Sequence, residues 1–338
     1  MLDAGVGRSI PRQAEKRRQC AAAGEAPGAA WAPRRDCCSR AILAGMELGI
    51  VVRPELDPES LADHARRAED AGFSELWLWE DCFQSGGIAM CATALAATKT
   101  ITVGLGVMPA PARNAAFVAM EIAALARLHP GRFHAGLGHG VDDWMRQVGA
   151  KPASQLTLLE ETVAAVRALL AGETVSVEGR YVRLRGVTLD HPPATVPPVS
   201  VGVRGPRSLE LAGRVGDGTI IDWLSSADYV RWARERVDAG RSVAGRTDPH
   251  RLTVYACSAS DAAGEAAIRR ACDERRAEGG GQAAFLDAPL SDLALVGDAD
   301  AQRRTLTALA DAGADCVVLV SADPSVPLDA AALAALLS

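Results

Sequence analysis

Lysine is almost absent from this 338-residue chain: Lys16, Lys99 and Lys151 stand alone, and arginine carries the remaining positive charge. The net charge is -6 and the pI about 5.6. Such a chain lacks the basic surface that neutralises phosphates, so nucleic acid is not an expected partner, while a local basic pocket stays open. Among 8 cysteines there is neither a CxxC pair nor metal-ligand spacing. Cys82, Cys91, Cys257, Cys272 and Cys316 fall singly in periodic segments and read as reduced thiols of a cytoplasmic protein, with no metal expected. No apolar run of about 18 residues occurs, and the N-terminus lacks the apolar core and small-residue cleavage site of a leader, so neither membrane insertion nor export is expected. What is present, 49% apolar and 23% charged residues, is ordinary for a globular chain.

Residues 1–45 differ from the rest. They are rich in Arg and Ala, hold Pro11, Pro27 and Pro33 and a Lys16-Arg17-Arg18 cluster, and show no sustained periodicity. Disorder is the expectation, with Met46 as an alternative translation start and a basic docking arm as the functional alternative. From Met46 onward, strand-like apolar runs alternate with helix-periodic segments, the order of parallel β/α units. Eight strands are expected at 48–52, 75–79, 101–107, 132–138, 199–203, 219–222, 252–257 and 315–320. Asp57-Pro58 offers a helix start, followed by Leu61, Ala65 and Ala68 on one face, and Gly72 an end; Ser154 and Asp298 offer further N-caps. Eight repeats satisfy closure of a (β/α)8 barrel, whereas a doubly wound sheet would carry a glycine-rich phosphate loop after its first strand. Arg53-Pro54-Glu55 stands there instead. One segment breaks the alternation: 174–188, turning at Glu178-Gly179, reads as a hairpin inserted between the fourth helix and the fifth strand, serving as a lid, an oligomer contact or decoration.

A barrel of this kind gathers its chemistry at the carboxyl ends of the strands. Four strand ends carry recognisable runs: Glu75-Leu76-Trp77-Leu78-Trp79-Glu80-Asp81; Gly104-Leu105-Gly106-Val107-Met108-Pro109 with Arg113-Asn114; Gly131-Arg132-Phe133 leading to Gly136-Leu137-Gly138-His139-Gly140; and Val203-Arg204-Gly205-Pro206-Arg207-Ser208 before Asp217-Gly218. In this order they resemble the luciferase-like monooxygenase family, and within it the oxidoreductases that use the deazaflavin coenzyme F420. The resemblance spans 46–338. It implies hydride transfer between F420 and a small organic substrate, in a homodimer. Two other readings stand beside it: an FMN-dependent monooxygenase, and a non-catalytic member that binds cofactor only.

The glycines Gly136, Gly138 and Gly140 would let a flat ring approach the backbone; the alternative is relief of crowding within the barrel. Gly205 at an N-cap with Pro206 at N1 offers free N–H groups to a phosphate, with Arg207 and Ser208 adding contacts and Val203 and Arg204 leading into the turn. The alternative is an ordinary capped turn. Glu80 and Asp81 close the second strand, Asp81 standing where the F420 branch often has histidine. Asp81 and His139 are the candidate proton exchangers, an imidazole with its ordinary pKa near 6.5 suiting the role. Glu80 alone could equally be a carboxylate bonded to backbone N–H groups. The resemblance also implies a non-prolyl cis peptide around Val107-Met108 behind the cofactor.

Overall fold

The apolar runs become strands in a computed structural model that describes residues 45–259 and 261–337. The expected N-terminal extension, apart from Gly45, lies outside the described residues. In chain order the strands are β1 (Glu47–Val52), β2 (Glu75–Leu78), β3 (Thr102–Pro109), β4 (Phe133–Gly138), the pair β5 (Val175–Glu178) and β6 (Arg183–Val187), β7 (Val199–Gly202), β8 (Gly218–Ile221), β9 (Arg251–Ser258), the short β10 (Ala294–Leu295) and β11 (Cys316–Ser321). Eight of them pair in parallel in the order β1-β2-β3-β4-β7-β8-β9-β11, and β11 returns to β1, while the β8–β9 pairing joins the last open edge. The barrel is therefore closed and has no free edge among these strands.

Side chains alternate across the barrel wall as the pleat requires. Ile50 and Val52 of β1 face the layer of helices, whereas Val51 faces inward with Trp77, Ile220, Tyr255, Val318 and Val320. Two aromatic rings fill the interior because β3 supplies no side chains opposite them. A Cβ on Gly104 would lie 2.4 Å from the Trp77 ring, and one on Gly106 2.0 Å from the Tyr255 hydroxyl oxygen. That hydroxyl donates instead to the Gly106 carbonyl at 3.1 Å.

The amino-terminal end of the interior is plugged by charge. The buried Glu75 carboxylate accepts from Arg251 at 2.7 Å, Trp77 Nε1 at 2.7 Å and Cys316 Sγ at 3.3 Å, and Arg251 also reaches Glu47. Burial pushes the Glu75 carboxyl up, but Arg251 and these donors together hold it below the usual range. Fully hydrogen-bonded pairing is the condition under which two buried charges are tolerated.

The predicted helix signals operate, with one difference. Ser154 Oγ accepts from Thr157 N–H at 3.4 Å and Asp298 Oδ1 from Ala301 N–H at 2.8 Å. Asp57 instead opens a single 3-10 turn, Pro58–Ser60, and helix Leu61–Asp70 follows with Leu61, Ala65 and Ala68 buried. The hairpin is present, antiparallel, after helix Gln155–Leu170. Its turn is fastened to that helix, since Glu161 accepts from the N–H groups of Arg180, Tyr181 and Val182 at 2.8 to 2.9 Å. A second excursion, between β9 and helix Ala299–Asp311, has no counterpart in the sequence reading. It contains helix Ala262–Glu278 and β10, which adds to β9. Ile268, Cys272, Leu286 and Leu293 bury it against Leu224 and Cys257.

Candidate functional site at the carboxyl end of the barrel

Asp81 follows β2 at the barrel mouth. No described side chain or N–H hydrogen-bonds its carboxylate, and its surroundings are unfavourable to negative charge. Burial first, then Glu55 and Asp222, push its pKa up to about 6, while Arg53 pulls it down. Arg53 is itself committed: Nη2 and Nε donate to Glu55 at 2.7 and 3.2 Å, Nη1 donates to the Ser321 carbonyl at 3.1 Å, and the guanidinium lies 5.4 Å from the Trp79 ring centre. The neighbouring Glu80 follows the alternative raised from sequence. Its Oε2 accepts from Gly87 N–H at 3.0 Å at the start of helix Gly87–Ala97, and its Oε1 accepts from Arg113 at 2.5 Å. Both oxygens are thus used to fix the chain.

His139 lies elsewhere. Together with Gln155, Leu156, Gly205, Pro206, Arg207 and Ser208 it lines a cavity of ≈ 250 Å³. The floor is the start of helix Pro206–Val215, where Ser208 Oγ accepts from Gly205 N–H at 3.2 Å and donates to the Gly205 carbonyl at 3.0 Å. Arg207 is exposed and, among the described residues, without an ion-pair partner. His139 Nδ1 is buried without a hydrogen-bond partner, and burial holds the imidazole below its usual range against an upward pull from the Gln155 main chain and Asp142. A helix start and an unpaired guanidinium meet at one cup, a donor set suited to an anion. Val203 is buried at the approach to it, and Arg204 turns away to Asp222 at 3.5 Å and Glu278 at 3.2 Å.

Space at the three predicted glycines is used by this chain's own side chains. A Cβ on Gly138 would lie 2.5 Å from Val107 Cγ2, and one on Gly136 2.6 Å from Ile220 Cδ1 and 3.2 Å from Val107 Cγ1. Gly140 has φ +70 and lies against Met145. Gly138, with Gly202 on the neighbouring strand, makes room for Val107, which β3 presents at a bulge between Leu105 and Met108, while Gly136 makes room chiefly for the Leu105 carbonyl and Ile220. The Gly106–Val107 peptide there is cis, one residue before the expected place, and Cys82–Phe83 is a second non-prolyl cis peptide. Met108 is buried in the outer core, away from the mouth.

The model of the luciferase-like monooxygenase family matches residues 46–316. The chain belongs to that family. A 5,10-methylenetetrahydromethanopterin reductase of Methanolobus tindarius is 34% identical over 219 residues, covering 64% of this chain and 66% of that protein. An F420-dependent glucose-6-phosphate dehydrogenase of Intrasporangium calvum is 33% identical over 210 residues, covering 57% of this chain and 63% of that protein. The matches thus span just under two thirds of these relatives. Among solved structures, the coenzyme F420 dependent tetrahydromethanopterin reductase of Methanopyrus kandleri superposes with a TM-score of 0.72 at 21% identity, over 86% of this chain and 98% of that one. At that identity the likeness is one of fold.

Within this family member the second excursion holds residues that sequence reasoning missed. Gln282, buried, donates through Nε2 to the carbonyls of Trp223 at 3.0 Å and Leu224 at 3.2 Å and to Ser225 Oγ at 3.0 Å, and accepts through Oε1 from Arg275 at 2.6 Å. Arg275 in turn holds Asp222 at 2.9 Å. The carboxyl-end loop of β8, with Leu224 at φ 64, is shaped from outside. A lone glutamine after Gly279-Gly280-Gly281 carries no local signal of this. Among the described residues no group of three or more His, Cys, Asp or Glu could hold a metal, and no helix is long and apolar enough to cross a membrane.

Proposed function

We propose that the chain is an F420-dependent oxidoreductase that moves a hydride between the deazaflavin and a small organic substrate, Asp81 exchanging the accompanying proton. The observation that carries this is Asp81 itself: a carboxyl without hydrogen-bond partners at the barrel mouth, its pKa lifted to about 6 by burial and by Glu55 and Asp222. A proton exchanger works best with a pKa near the working pH. F420, when bound, would supply the hydride-accepting and hydride-donating carbon, in keeping with the F420-dependent dehydrogenases the chain is similar to.

The residues present fit such a cofactor. The Gly205–Ser208 cup offers a helix start and the exposed Arg207 to a phosphate-bearing tail. His139, whose imidazole burial holds below its usual range, lines that cup and is separated from Asp81 by the width of β3, roughly 10 Å at the usual strand spacing. Val107 with its bulge lies between the strand that precedes the cup and the strand that precedes Asp81, and Glu80 fixes the segment that bears Asp81.

Cytoplasmic location and a homodimer complete the reading. Helix Ala115–Leu128 exposes Phe117 (62%), Met120 (51%) and Leu128 (72%). An isologous contact sets a patch against itself, which these exposed apolar side chains favour.

Titrating the apoprotein with F420 and with FMN, read by cofactor fluorescence, tests the reading. F420 should bind, and Arg207→Ala should weaken it by about tenfold, the loss of one charge-assisted contact. Tight FMN binding without F420 binding would replace this function with that of an FMN-dependent monooxygenase.

A further inference from the structure

We propose that Gln282, on the excursion after β9, is a positioning residue for proton exchange at the mouth: its buried amide holds the turn 222–225 at the carboxyl end of β8, and so keeps Asp222 facing Asp81. The proposal rests on the reading of Asp81 as the proton exchanger, and it adds a residue that acts on Asp81 from outside the mouth.

The turn is held against its own preference. Leu224 sits at φ 64, in the left-handed region where a bulky side chain crowds the backbone. A glycine would relieve the crowding, but the Leu224 side chain is 1% exposed and packs with Cys257, Ile268 and Leu286, so this turn cannot do without it. Such a conformation persists only where its surroundings over-determine it, and such conformations gather at functional sites. Gln282 supplies the determination. It is 1% exposed, and both polar atoms of its amide are used: Nε2 donates to the carbonyls of Trp223 at 3.0 Å and Leu224 at 3.2 Å and to Ser225 Oγ at 3.0 Å, while Oε1 accepts from Arg275 at 2.6 Å, which fixes the way the amide faces. Ser225 Oγ in turn donates to the Asp222 carbonyl at 2.7 Å, and Trp223 N–H donates to Asp222 Oδ1 at 2.9 Å. One buried amide therefore closes a turn whose internal bonds end on Asp222.

What the turn carries lies at the mouth. Trp223 packs on the interior cluster of Val51, Tyr255 and Val320, and so does Trp79, two residues before Asp81. The charged groups that Asp81 faces are Arg53 and Glu55, which follow the adjacent β1, and Asp222, which follows β8. Counted either way round the closed barrel, β8 lies four strands from β2. No strand pairing sets the separation of these two carboxylates; the turn does. The negative charge of Asp222 strengthens proton binding at Asp81, so a turn that loosens and lets Asp222 withdraw weakens it.

The test is the titration of the Asp81 carboxyl in cofactor-free protein, read by carbon NMR and assigned by the signal that Asp81→Asn removes. Gln282→Met keeps the unbranched shape and gives up every hydrogen bond of the amide. It should weaken proton binding at Asp81 at least about threefold, and Asp222→Asn should weaken it by as much or more. Because Gln282 acts through Asp222, the double variant should bind the proton no more weakly than Asp222→Asn alone. A folded Gln282→Met variant that titrates as the wild type does overturns the proposal, and so does a double variant in which the two effects add. Should Gln282→Met fail to fold, Ser225→Ala takes its place. It removes one acceptor of the amide and the bond to the Asp222 carbonyl, and it should move the titration in the same direction; an unchanged titration again overturns the proposal. Melting temperature falls whenever a buried glutamine loses its bonds, whereas the titration of a carboxyl across the mouth moves only if the glutamine positions it. The titration needs no F420. Failure of F420 to bind removes the proposed function and leaves the positioning readable, and an unmoved titration beside normal F420 binding removes the positioning alone.

Discussion

Replacing Asp81 by asparagine should stabilise the fold and damage the catalyst, and both effects have calculable signs. The Asp81 carboxyl moves from an ordinary 3.8 to about 6 on folding. At about 1.4 kcal/mol per pKa unit, holding the carboxylate ionised in the folded chain costs about 3 kcal/mol, an upper value because solvent reaches part of the group. The folded state binds this proton more tightly than the unfolded one, so the penalty is full above pH 6. It shrinks as pH falls through 6 and is gone below 3.8. Asp81→Asn removes the charge and hence the penalty. The gain should be about 2–3 kcal/mol at pH 8, or about 4–8 °C in Tm, and about 1 kcal/mol or less near pH 4.5. Turnover should fall about a hundredfold, the usual contribution of a positioned proton exchanger, and the limb of the kcat profile near pH 6 should disappear. Differential scanning fluorimetry at the two pH values and steady-state F420 turnover read the two halves separately. Equal melting shifts at both pH values would refute the electrostatic account, and a surviving limb near pH 6 in Asp81→Asn would assign the proton to another group.

Arg251→Met should cost about 3–5 kcal/mol in urea melts, because it leaves Glu75, 1% exposed, as an uncompensated buried charge. Adding Glu75→Gln should recover part of that loss, and a single variant within about 1 kcal/mol of wild type would show the pair to be dispensable. Phe117→Asp with Met120→Asp should yield a folded monomer by light scattering with unchanged circular dichroism. A dimer that persists would place the interface off helix Ala115–Leu128.

The eight strands were readable because each is an apolar run between helix signals, and closure follows from their number. The excursion after β9 was not readable, since helix Ala262–Glu278 buries only Ile268 and Cys272 and its purpose lies in Gln282 and Arg275 binding a loop far away in sequence. Gly136 and Gly138 in β4 and Gly140 after it show a different limit. Their pattern announces that something needs the space, but not whether the occupant is a ligand or the chain's own Ile220, Val107 and Met145, because a missing Cβ carries no record of what fills the gap.

Strand order supplies what spacing along the chain cannot. β4 and β7 are hydrogen-bonded neighbours although the hairpin and a long helix separate them in sequence. The residue after one strand and the helix start after the other therefore share a cavity, and His139 belongs with Gly205 and Arg207 for that reason. Asp81 follows β2, which β3 separates from β4. Two titratable groups that look equivalent as strand-end residues are thus divided by the barrel between the cavity beside Gly205 and the mouth after β2. Burial lowers the pKa of one of them, His139, and raises that of the other, Asp81, to about 6, and under the proposed function this upward shift is what suits Asp81 to exchange a proton.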